Sequence, residues 1–356
     1  MAPLVRRLRA NADFAVTLCS TGQHREMILQ VFKLFALEPD VDLDLMQPGQ
    51  TLSDLTARVL AGMDGVIREY DPDRVLVHGD TTTTFSATLA AYYHKIPVGH
   101  VEAGLRTRDI YSPWPEEVNR KLTDAIADRL YAPTNESRDN LLREGVPAER
   151  VVVTGNTVID ALFDVVNGPL KDEATRRAFK ERFSFLDPSK KLILVTCHRR
   201  ESFGEGFQHV CAALEELANR PDVQIVFPVH LNPNVRAAFG KLRQHPRVVL
   251  IEPLDYLEFV FMLMECHSIL TDSGGIQEEA PSLGKPVFVL RKVTERPEAV
   301  AAGTVKLVGT DTRRIVDAAS ELLDNPSAYA AMSAIHNPYG DGKACERIIA
   351  SLSEEL

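Results

Sequence analysis

Short apolar runs alternate with amphipathic segments along the whole chain, and this alternation constrains the fold more than any other feature. In the first half the runs rich in Val, Ile and Leu are 14–20, 74–80, 96–104, 129–133 and 150–156. They lack the strict apolar–polar alternation of half-exposed strands, so they are typical of parallel strands covered on both faces. The segments between them have helical periodicity, and the pattern predicts a doubly wound α/β domain.

A second series of apolar runs begins after residue 190. Its members are KLILVTCH, VQIVFPVH, RVVLIEP, SILTDSGG, KPVFVL and TVKLVG. The stretch 155–190 between the two series reads as a linker. We therefore expect two Rossmann-like domains with a cleft between them. The first would span 1–160 and be completed by a C-terminal helix, 338–356, and the second would span 161–337.

The first domain is unusual because it opens on a helix. Residues 2–10, APLVRRLRA, have a proline at the first helical turn, which suits a helix start. An α/β domain normally opens on a strand. We expect either that the first sheet lacks its first strand or that residues before Met1 are absent from this sequence.

Composition narrows the classes of partner. The 356 residues carry a formal net charge of −10, which argues against a nucleic-acid partner, since such proteins present a basic face. Five widely spaced cysteines indicate reduced thiols rather than a disulfide framework or a zinc site. Neither a signal peptide nor an apolar run of membrane-spanning length is found. We expect a cytoplasmic protein with no membrane partner.

Polar residues follow the predicted strands at the edge where doubly wound sheets bind ligands. In the first half these are His78, Asp80, His100 and Glu102, and in the second they are His198, Arg199, Arg200, His230 and the segment 272–275. Each His–carboxylate pair is spaced i, i+2 and would project to one side of its strand. The pairs could hold a metal or perform acid/base chemistry, and we favour acid/base chemistry because no metal-ligand motif is found. The alternative is a polar network that only satisfies strand ends.

The stretch TDSGGIQEEAP, residues 271–281, combines features of opposite sign. Ser273, Gly274 and Gly275 precede a helical run, so their N–H groups suit a diphosphate. Glu279 lies one helical turn beyond Gly275 and could accept hydrogen bonds from a ribose diol. The stretch therefore predicts a nucleoside diphosphate ligand, with simple helix capping as the alternative. The sequence contains no GxGxxG after a strand, no GxxxxGK[ST] and no GxSxG.

The chain carries, in this order, the motifs QHREM, HGDTTTT, GHVEAGLRT, SPWPEEVNR, TGNTVIDAL, HRRESFG, PVHLNPNV, TDSGGIQEEAPSLGKPV and TERPEA. Together they resemble the bacterial non-hydrolysing UDP-N-acetylglucosamine 2-epimerases, from the first residues to NPYGDGKAC near the end. The resemblance implies a GT-B fold, UDP-GlcNAc and UDP-ManNAc as substrate and product, and a homodimer. It also implies no metal and no other cofactor. That family begins with a strand and a GTRPEAIK-like loop just before MAPL, so the first N-terminal strand is expected to be missing here.

The resemblance also assigns roles to residues. It implies that Asp80, Glu102 and Glu116 are acid/base carboxylates and that His198 lies near the diphosphate. The UDP-binding residues that it implies are Phe259, Ser273, Gly274, Gly275, Glu279 and Arg296. A second, activating UDP-GlcNAc would lie near Gln23, Gln50, Arg199 and His230. Glu26 and Gly49 depart from the Gln and Arg that some activator-dependent relatives have at these positions.

The resemblance implies a mechanism in which UDP is eliminated to give 2-acetamidoglucal and then adds back. Three alternatives share a UDP site of this kind. They are a GT-B glycosyltransferase, a hydrolysing 2-epimerase and a UDP-sugar sensor without turnover.

Overall fold

The computed structural model describes residues 1–23, 25–198, 204–229, 235, 239–334 and 337–354. The chain divides into two compact units. Unit 1 comprises Met1–Ala161 and Tyr339–Leu356, and unit 2 comprises Leu162–Pro338. Within the described ranges, no helix combines the length and apolar character needed to cross a bilayer.

The strands are short and all pair in parallel. They are β1 (Cys19–Ser20), β2 (Val41–Asp42), β3 (Val75–His78), β4 (Val98–Val101), β5 (Arg129–Ala132), β6 (Val151–Val153), β7 (Lys191–Thr196), β8 (Val223–Pro228), β9 (Val248–Ile251), β10 (Ser268–Thr271), β11 (Val287–Val289) and β12 (Val305–Leu307). The α-helices follow the pattern expected of crossover connections between such strands.

The described α-helices are α1 (Ala2–Arg9), α2 (Arg25–Phe35), α3 (Leu52–Tyr70), α4 (Thr82–Tyr93), α5 (Glu116–Ile126), α6 (Asn135–Arg143), α7 (Thr157–Asn167), α8 (Glu173–Arg182), α9 (Glu205–Ala218), α10 (Tyr256–Glu265), α11 (Ile276–Ser282), α12 (Pro297–Ala302), α13 (Thr312–Asp324), α14 (Pro326–Ser333) and α15 (Ala344–Ser353). Short 3₁₀ turns occupy Ala148–Arg150, Pro169–Lys171 and Gly240–Gln244. Side chains cap several helix starts. Thr51 and Asp255, for example, begin α3 and α10 with reciprocal capping boxes.

Unit 1 contains a four-stranded sheet in the order β3-β4-β5-β6 and a separate pair, β1-β2. The predicted five-strand series was therefore wrong at 14–20, where only Cys19–Ser20 is a strand and it pairs with the unpredicted Val41–Asp42. The reason is that Phe14 and Val16 pack in the apolar cluster of α1 and α15 instead of extending in a ladder. These two residues are apolar because they are buried under helices, and not because they belong to a buried strand.

Unit 2 contains the six predicted strands in one sheet, in the order β12-β11-β10-β7-β8-β9. Strand order reverses between the central neighbours β7 and β10, which pair over Ile193–Thr196 and Ser268–Thr271. Ligands of doubly wound sheets bind beyond the carboxyl ends of the strands at such a reversal. His198 follows β7 and Ser273 follows β10, so the fold puts both beside this point.

Candidate active site

The loop after β3 carries Asp80, whose carboxylate is held by an arginine from another element. Gly79 makes the turn with a φ of +70°, a conformation that glycine adopts without strain. Arg120 Nη2 on α5 donates to Asp80 Oδ2 at 2.6 Å, and Asn119 Nδ2 donates to the Asp80 carbonyl oxygen at 2.9 Å. Both the side chain and the backbone of Asp80 are therefore fixed by α5.

The same arginine bridges to a second carboxylate, Glu117. Arg120 Nη1 donates to Glu117 Oε2 at 3.0 Å, and both side chains are buried. Glu117 also accepts the backbone N–H groups of Thr107 and Arg108, each at 3.0 Å. With three donors, Glu117 anchors a loop. The neighbouring Glu116 has a buried carboxylate oxygen, Oε2, for which the described part of the chain offers no hydrogen-bond partner. That free oxygen suits Glu116, rather than Glu117, to act on a ligand.

Glu102 stands directly after β4 in a strained conformation. Its φ is +69°, in the left-handed region that non-glycine residues rarely adopt and that is often found at functional sites. Asn156 Nδ2 donates to Glu102 Oε2 at 2.8 Å, and Oε1 lies 3.6 Å from the position that a Cβ on Gly79 would occupy. The structure therefore brings the Glu102 carboxylate to the loop that carries Asp80.

His100 is fully buried and serves the backbone rather than a ligand. Its Nδ1 lies 2.6 Å from Asp124 Oδ1 and its Nε2 lies 2.7 Å from the Gly79 carbonyl oxygen. Burial alone would raise the pKa of Asp124, but His100 and Arg106 together hold it below the ordinary value. The cluster of His100, Asp124 and Arg106 therefore stabilises the turn at Gly79.

The predicted projection of His100 and Glu102 to one side of a strand was wrong in its premise. Extended backbone ends at Val101 and Glu102 is left-handed, so the two-residue alternation does not reach it. Burial lowers the pKa of His78 to about 4, which leaves its ring neutral, 3.5 Å from Thr157 Oγ1. Across the described residues, no three His, Cys, Asp or Glu side chains are grouped as metal ligands.

In unit 2, His198 is oriented by an aspartate from the neighbouring strand. Asp272, fully buried after β10, accepts the His198 backbone N–H at 2.7 Å, and its Oδ1 lies 3.2 Å from His198 Nδ1. The backbone hydrogen bond fixes the position of His198 relative to Asp272. The imidazole itself is exposed, so it is accessible at the sheet reversal.

The segment Ser273–Gly275 lies between β10 and α11, as predicted, and Arg296 packs against it. A Cβ added to Gly274 would stand 3.0 Å from Arg296 Nη1, so a larger residue would require this guanidinium to shift by a few tenths of an ångström. Arg296 Nε donates to Glu278 Oε1 at 2.7 Å. The acid next to the glycines is thereby paired, and its charge does not act alone on an anion bound at the loop.

Glu279 is also buried, and its described contact is with a tyrosine. Tyr256 Oη donates to Glu279 Oε1 at 2.5 Å. Burial raises the pKa of Glu279 to about 7, against the lowering effect of the tyrosine hydrogen bond and with a further rise from Glu278. Phe259 lies in the same helix as Tyr256, partly buried and three residues further on.

The residues predicted for an activator site are only partly described. Thr83 Oγ1 donates to Gln23 Oε1 at 2.8 Å, and Arg58 Nη2 donates to Gln50 Oε1 at 2.8 Å. Arg199 and His230 lie outside the described residues. The structure thus gives Gln23 and Gln50 fixed side chains, and the activator site stays a prediction.

Sequence reasoning missed four residues that support these groups: Asn119, Arg120, Asp124 and Tyr256. A signal existed for two of them, because Asn119 and Arg120 follow Glu116 at helical spacings of three and four in the motif SPWPEEVNR. Asp272 was noted only as the residue before Ser273. Nothing in the sequence joins Asp124 to His100 or Tyr256 to Glu279, since those contacts depend on tertiary packing.

Comparison with known proteins places these arrangements in a family. The profile of the family described as UDP-N-acetylglucosamine 2-epimerase matches residues 6–353. UDP-N-acetylglucosamine 2-epimerase of Yersinia pestis is 57% identical over 354 residues, which cover 99% of this chain and 94% of the relative. The Escherichia coli K12 enzyme of the same name is 56% identical with the same coverage.

Solved structures agree with the sequence relatives. The UDP-GlcNAc 2-epimerase of Neisseria meningitidis, bound to UDP-GlcNAc, superposes with a TM-score of 0.94 at 49% identity and covers 99% of this chain and 96% of its own. The Methanocaldococcus jannaschii enzyme, in complex with UDP-GlcNAc and UDP, has a TM-score of 0.83 at 33% identity, with 99% and 95% coverage. The chain described here has two parallel-sheet units and matches these relatives over almost its whole length. It therefore has a GT-B-like α/β fold and belongs to the UDP-N-acetylglucosamine 2-epimerase family.

Proposed function

We propose that this chain interconverts UDP-GlcNAc and UDP-ManNAc by inverting carbon C2 of the sugar. The observation that carries the proposal is the Asp80 carboxylate, held by Arg120 at 2.6 Å beside the strained Glu102. Fixed carboxylates next to one another are suited to proton transfer at carbon, and relatives of this name match almost the whole chain.

The reaction that fits these groups begins with elimination, because a C2 proton of a sugar is not acidic. One carboxylate removes this proton while the C1–O bond breaks, UDP leaves with the electron pair and C1=C2 forms in 2-acetamidoglucal. A second carboxylate then returns a proton to C2 on the other face, and a UDP oxygen bonds to C1 again. Inversion needs groups on both faces, and we assign these roles to Asp80, Glu102 and Glu116.

The departing UDP must be retained, and unit 2 supplies groups for this. Ser273, Gly274 and Gly275 offer backbone donors to the diphosphate, and the Arg296 guanidinium packs against Gly274. His198, oriented by Asp272, would stabilise the negative charge that develops on the leaving oxygen. Glu279 would bind the ribose diol, and Phe259 would contact the nucleotide.

This proposal divides the work between the two units. Unit 1 would supply the acid/base carboxylates and unit 2 the nucleotide site.

We also propose that the protein is a cytoplasmic homodimer, in line with its five free thiols and with the family it belongs to. Activation by a second UDP-GlcNAc near Gln23, Gln50, Arg199 and His230 remains part of the proposal. Light scattering tests the dimer, and the rate at rising UDP-GlcNAc concentration tests activation.

The decisive experiment incubates the protein with UDP-GlcNAc in D2O without an acceptor and follows C2 by proton NMR. We expect deuterium at C2 in both UDP-GlcNAc and UDP-ManNAc. Release of free ManNAc with UDP would indicate a hydrolysing enzyme, and intact, unexchanged substrate would indicate a glycosyltransferase or a sensor. Either result contradicts the proposal.

A matched pair of variants tests the role of Asp80. Asp80→Asn should abolish C2 exchange and leave UDP binding nearly unchanged, because the nucleotide contacts lie in unit 2. Asp139→Asn, which changes an exposed carboxylate paired with Arg138, should exchange at the wild-type rate. Normal turnover by Asp80→Asn would remove Asp80 from the mechanism.

A further inference from the structure

The contact between Tyr256 and Glu279 joins two helices of unit 2 beside the proposed nucleotide site. Tyr256 is the first residue of α10, whose start is fixed by the Asp255 capping box. Glu279 lies in α11, one turn after the glycines. The phenol Oη donates to Glu279 Oε1 at 2.5 Å, so one side chain joins the starts of the two helices.

The two adjacent acids of α11 are treated differently by their surroundings. Glu278 faces a cation, with Arg296 Nε at 2.7 Å, whereas Glu279 faces the neutral phenol. Both carboxylates are buried, at 1% and 6% exposure. Burying a carboxylate against a single neutral donor is costly unless another partner completes its hydrogen bonds. The pairing therefore points to a ligand at Glu279.

We propose that Tyr256 is a specificity-determining positioning residue, which fixes the plane of the Glu279 carboxylate so that it accepts hydrogen bonds from both hydroxyls of a ribose. The inference rests on the nucleotide site proposed above. A guanidinium would occupy a carboxylate with two parallel bonds, but one phenol takes a single acceptor position and leaves the others for the ligand. Burial and the charge of Glu279 raise the pKa of the Tyr256 phenol, so it stays a donor.

The test compares UDP with 2′-deoxy-UDP, which lacks one hydroxyl of the diol. Calorimetry on the wild-type protein should show tighter binding of UDP. In Tyr256→Phe we expect UDP affinity to fall about tenfold, as for the loss of a hydrogen bond to a charged group, with little change for 2′-deoxy-UDP. The ratio of the two affinities should therefore approach one. Glu279→Gln should collapse the same ratio, and adding Tyr256→Phe to it should change the ratio little further.

Tyr329→Phe is the matched control. It removes another phenol hydroxyl of unit 2, one that donates to the His267 carbonyl oxygen at 3.2 Å. A general loosening of the unit would affect both variants, whereas the proposal requires Tyr329→Phe to keep the wild-type ratio. The inference is overturned if Tyr256→Phe keeps that ratio, or if Tyr329→Phe loses it equally.

The pH dependence of UDP binding gives a second test, one that does not depend on how the substitution affects packing. The groups facing Glu279 are Tyr256 from α10 and Glu278 from α11, with Arg296 beyond Glu278. Removing the phenol removes the one described contact that lowers the pKa of Glu279, so the pH midpoint of UDP affinity itself should rise in Tyr256→Phe. An unchanged midpoint contradicts the inference.

Failure of this inference and failure of the proposed function have different signatures. A wild-type protein that binds UDP and 2′-deoxy-UDP equally overturns the ribose role of Glu279 and the role of Tyr256 with it. Retained preference in Tyr256→Phe overturns only the tyrosine. Neither result decides the proposed function, which C2 exchange in D2O tests separately.

Discussion

At the scale of single residues, Arg120 fixes the geometry around Asp80 by bridging two carboxylates. Its guanidinium is buried and bridges the carboxylates of Asp80 and Glu117, at 2.6 and 3.0 Å. Glu117 in turn holds the backbone of Thr107 and Arg108. Removing the arginine would leave a fully buried carboxylate, Glu117, without its cation, which costs far more than losing an exposed ion pair. The arginine therefore links the stability of the loop to the position of Asp80.

We predict that Arg120→Met lowers kcat for epimerisation by about a hundredfold or more, the usual range for a displaced acid/base group. The free energy of unfolding should fall by about 3–5 kcal/mol, as when one partner of a buried pair is removed. UDP affinity should stay near wild type. The comparison is Arg138→Met, which breaks a pair with Asp139 that is about half exposed, and should cost at most ~1 kcal/mol and leave kcat unchanged. Equal losses in the two variants would contradict the role of Arg120.

Glu279 should make stability depend on pH in a direction opposite to that of most carboxylates. Its pKa rises on folding from the ordinary value of 4.5 to about 7, mainly by burial. Between these two pH values the folded protein keeps a proton that the unfolded chain has lost, so stability falls as pH rises through this window. The penalty is complete above pH 7 and corresponds to roughly 3 kcal/mol at 1.36 kcal/mol per pKa unit.

The variant Glu279→Gln removes this penalty. We predict that it melts at a higher temperature than wild type at pH 8 while binding UDP more weakly, and that the difference in melting temperature shrinks towards pH 4.5. A constant difference across this range would show that the titration is not responsible.

Among the elements, strands buried in the centre of a sheet were the most predictable. The runs in unit 2 became one six-stranded sheet because the central ones are apolar on both faces. The run 14–20 was misread because apolar residues under α1 and α15 have the same composition as a buried strand. Val41–Asp42 was missed because a two-residue strand has too little sequence to show a period.

The candidate site shows the same division between local and long-range information. Asp80, Glu102 and Ser273–Gly275 follow strands, so the rule that ligands bind at strand ends identified them from sequence. Asp124 and Arg120 come from helices and reach the site only through packing. The two-residue spacing of His100 and Glu102 gave a wrong prediction. Glu102 has a left-handed φ of +69°, which is rare for glutamate and cannot be predicted from the residue type.

Gly104 and Gly145 have nearly equal φ angles, so comparing them separates the effect of packing from the effect of backbone strain. Gly104, in the loop after β4, has φ +85°, and a Cβ there would stand 2.3 Å from the Ser137 carbonyl oxygen of α6. Gly145 has φ +86°, and a Cβ there would have nothing within 4 Å. Alanine at either position would impose the same backbone strain. Only alanine at Gly104 would also clash with α6.

We predict that Gly145→Ala lowers the free energy of unfolding by about 1 kcal/mol, the cost of a left-handed non-glycine residue. Gly104→Ala should lose about 3 kcal/mol or more, since overpacking adds to the strain. It should also lower epimerase activity, because Glu102 is two residues away. Urea unfolding and the C2 exchange assay measure the two effects. Similar losses in both variants would contradict the close approach of the loop to α6.

In the whole molecule, the chain leaves unit 1 near Ala161, forms unit 2 and returns at Tyr339 to place α15 in unit 1. The return is fastened by Asp160 on α7, whose two carboxylate oxygens accept the backbone N–H groups of Ala344 and Cys345, each at 3.0 Å. These N–H groups belong to the first turn of α15 and have no partner within the helix. One side chain therefore connects positions 184 and 185 residues away.

We predict that Asp160→Ala releases α15 from unit 1, because two buried N–H groups lose their acceptor at a cost of about 1–3 kcal/mol each. Hydrogen exchange over Ala344–Ser353 should accelerate by at least ~10-fold, while exchange in the unit 2 sheet changes little. Asp311→Ala removes a comparable cap in unit 2, where the carboxylate accepts the N–H of Arg314 only three residues away at 2.8 Å. That variant should accelerate exchange in α13 and leave α15 protected. If α15 stays protected in Asp160→Ala, the apolar contacts of Ile348 and Leu352 with Leu4 and Tyr131 would be sufficient to hold the returning chain.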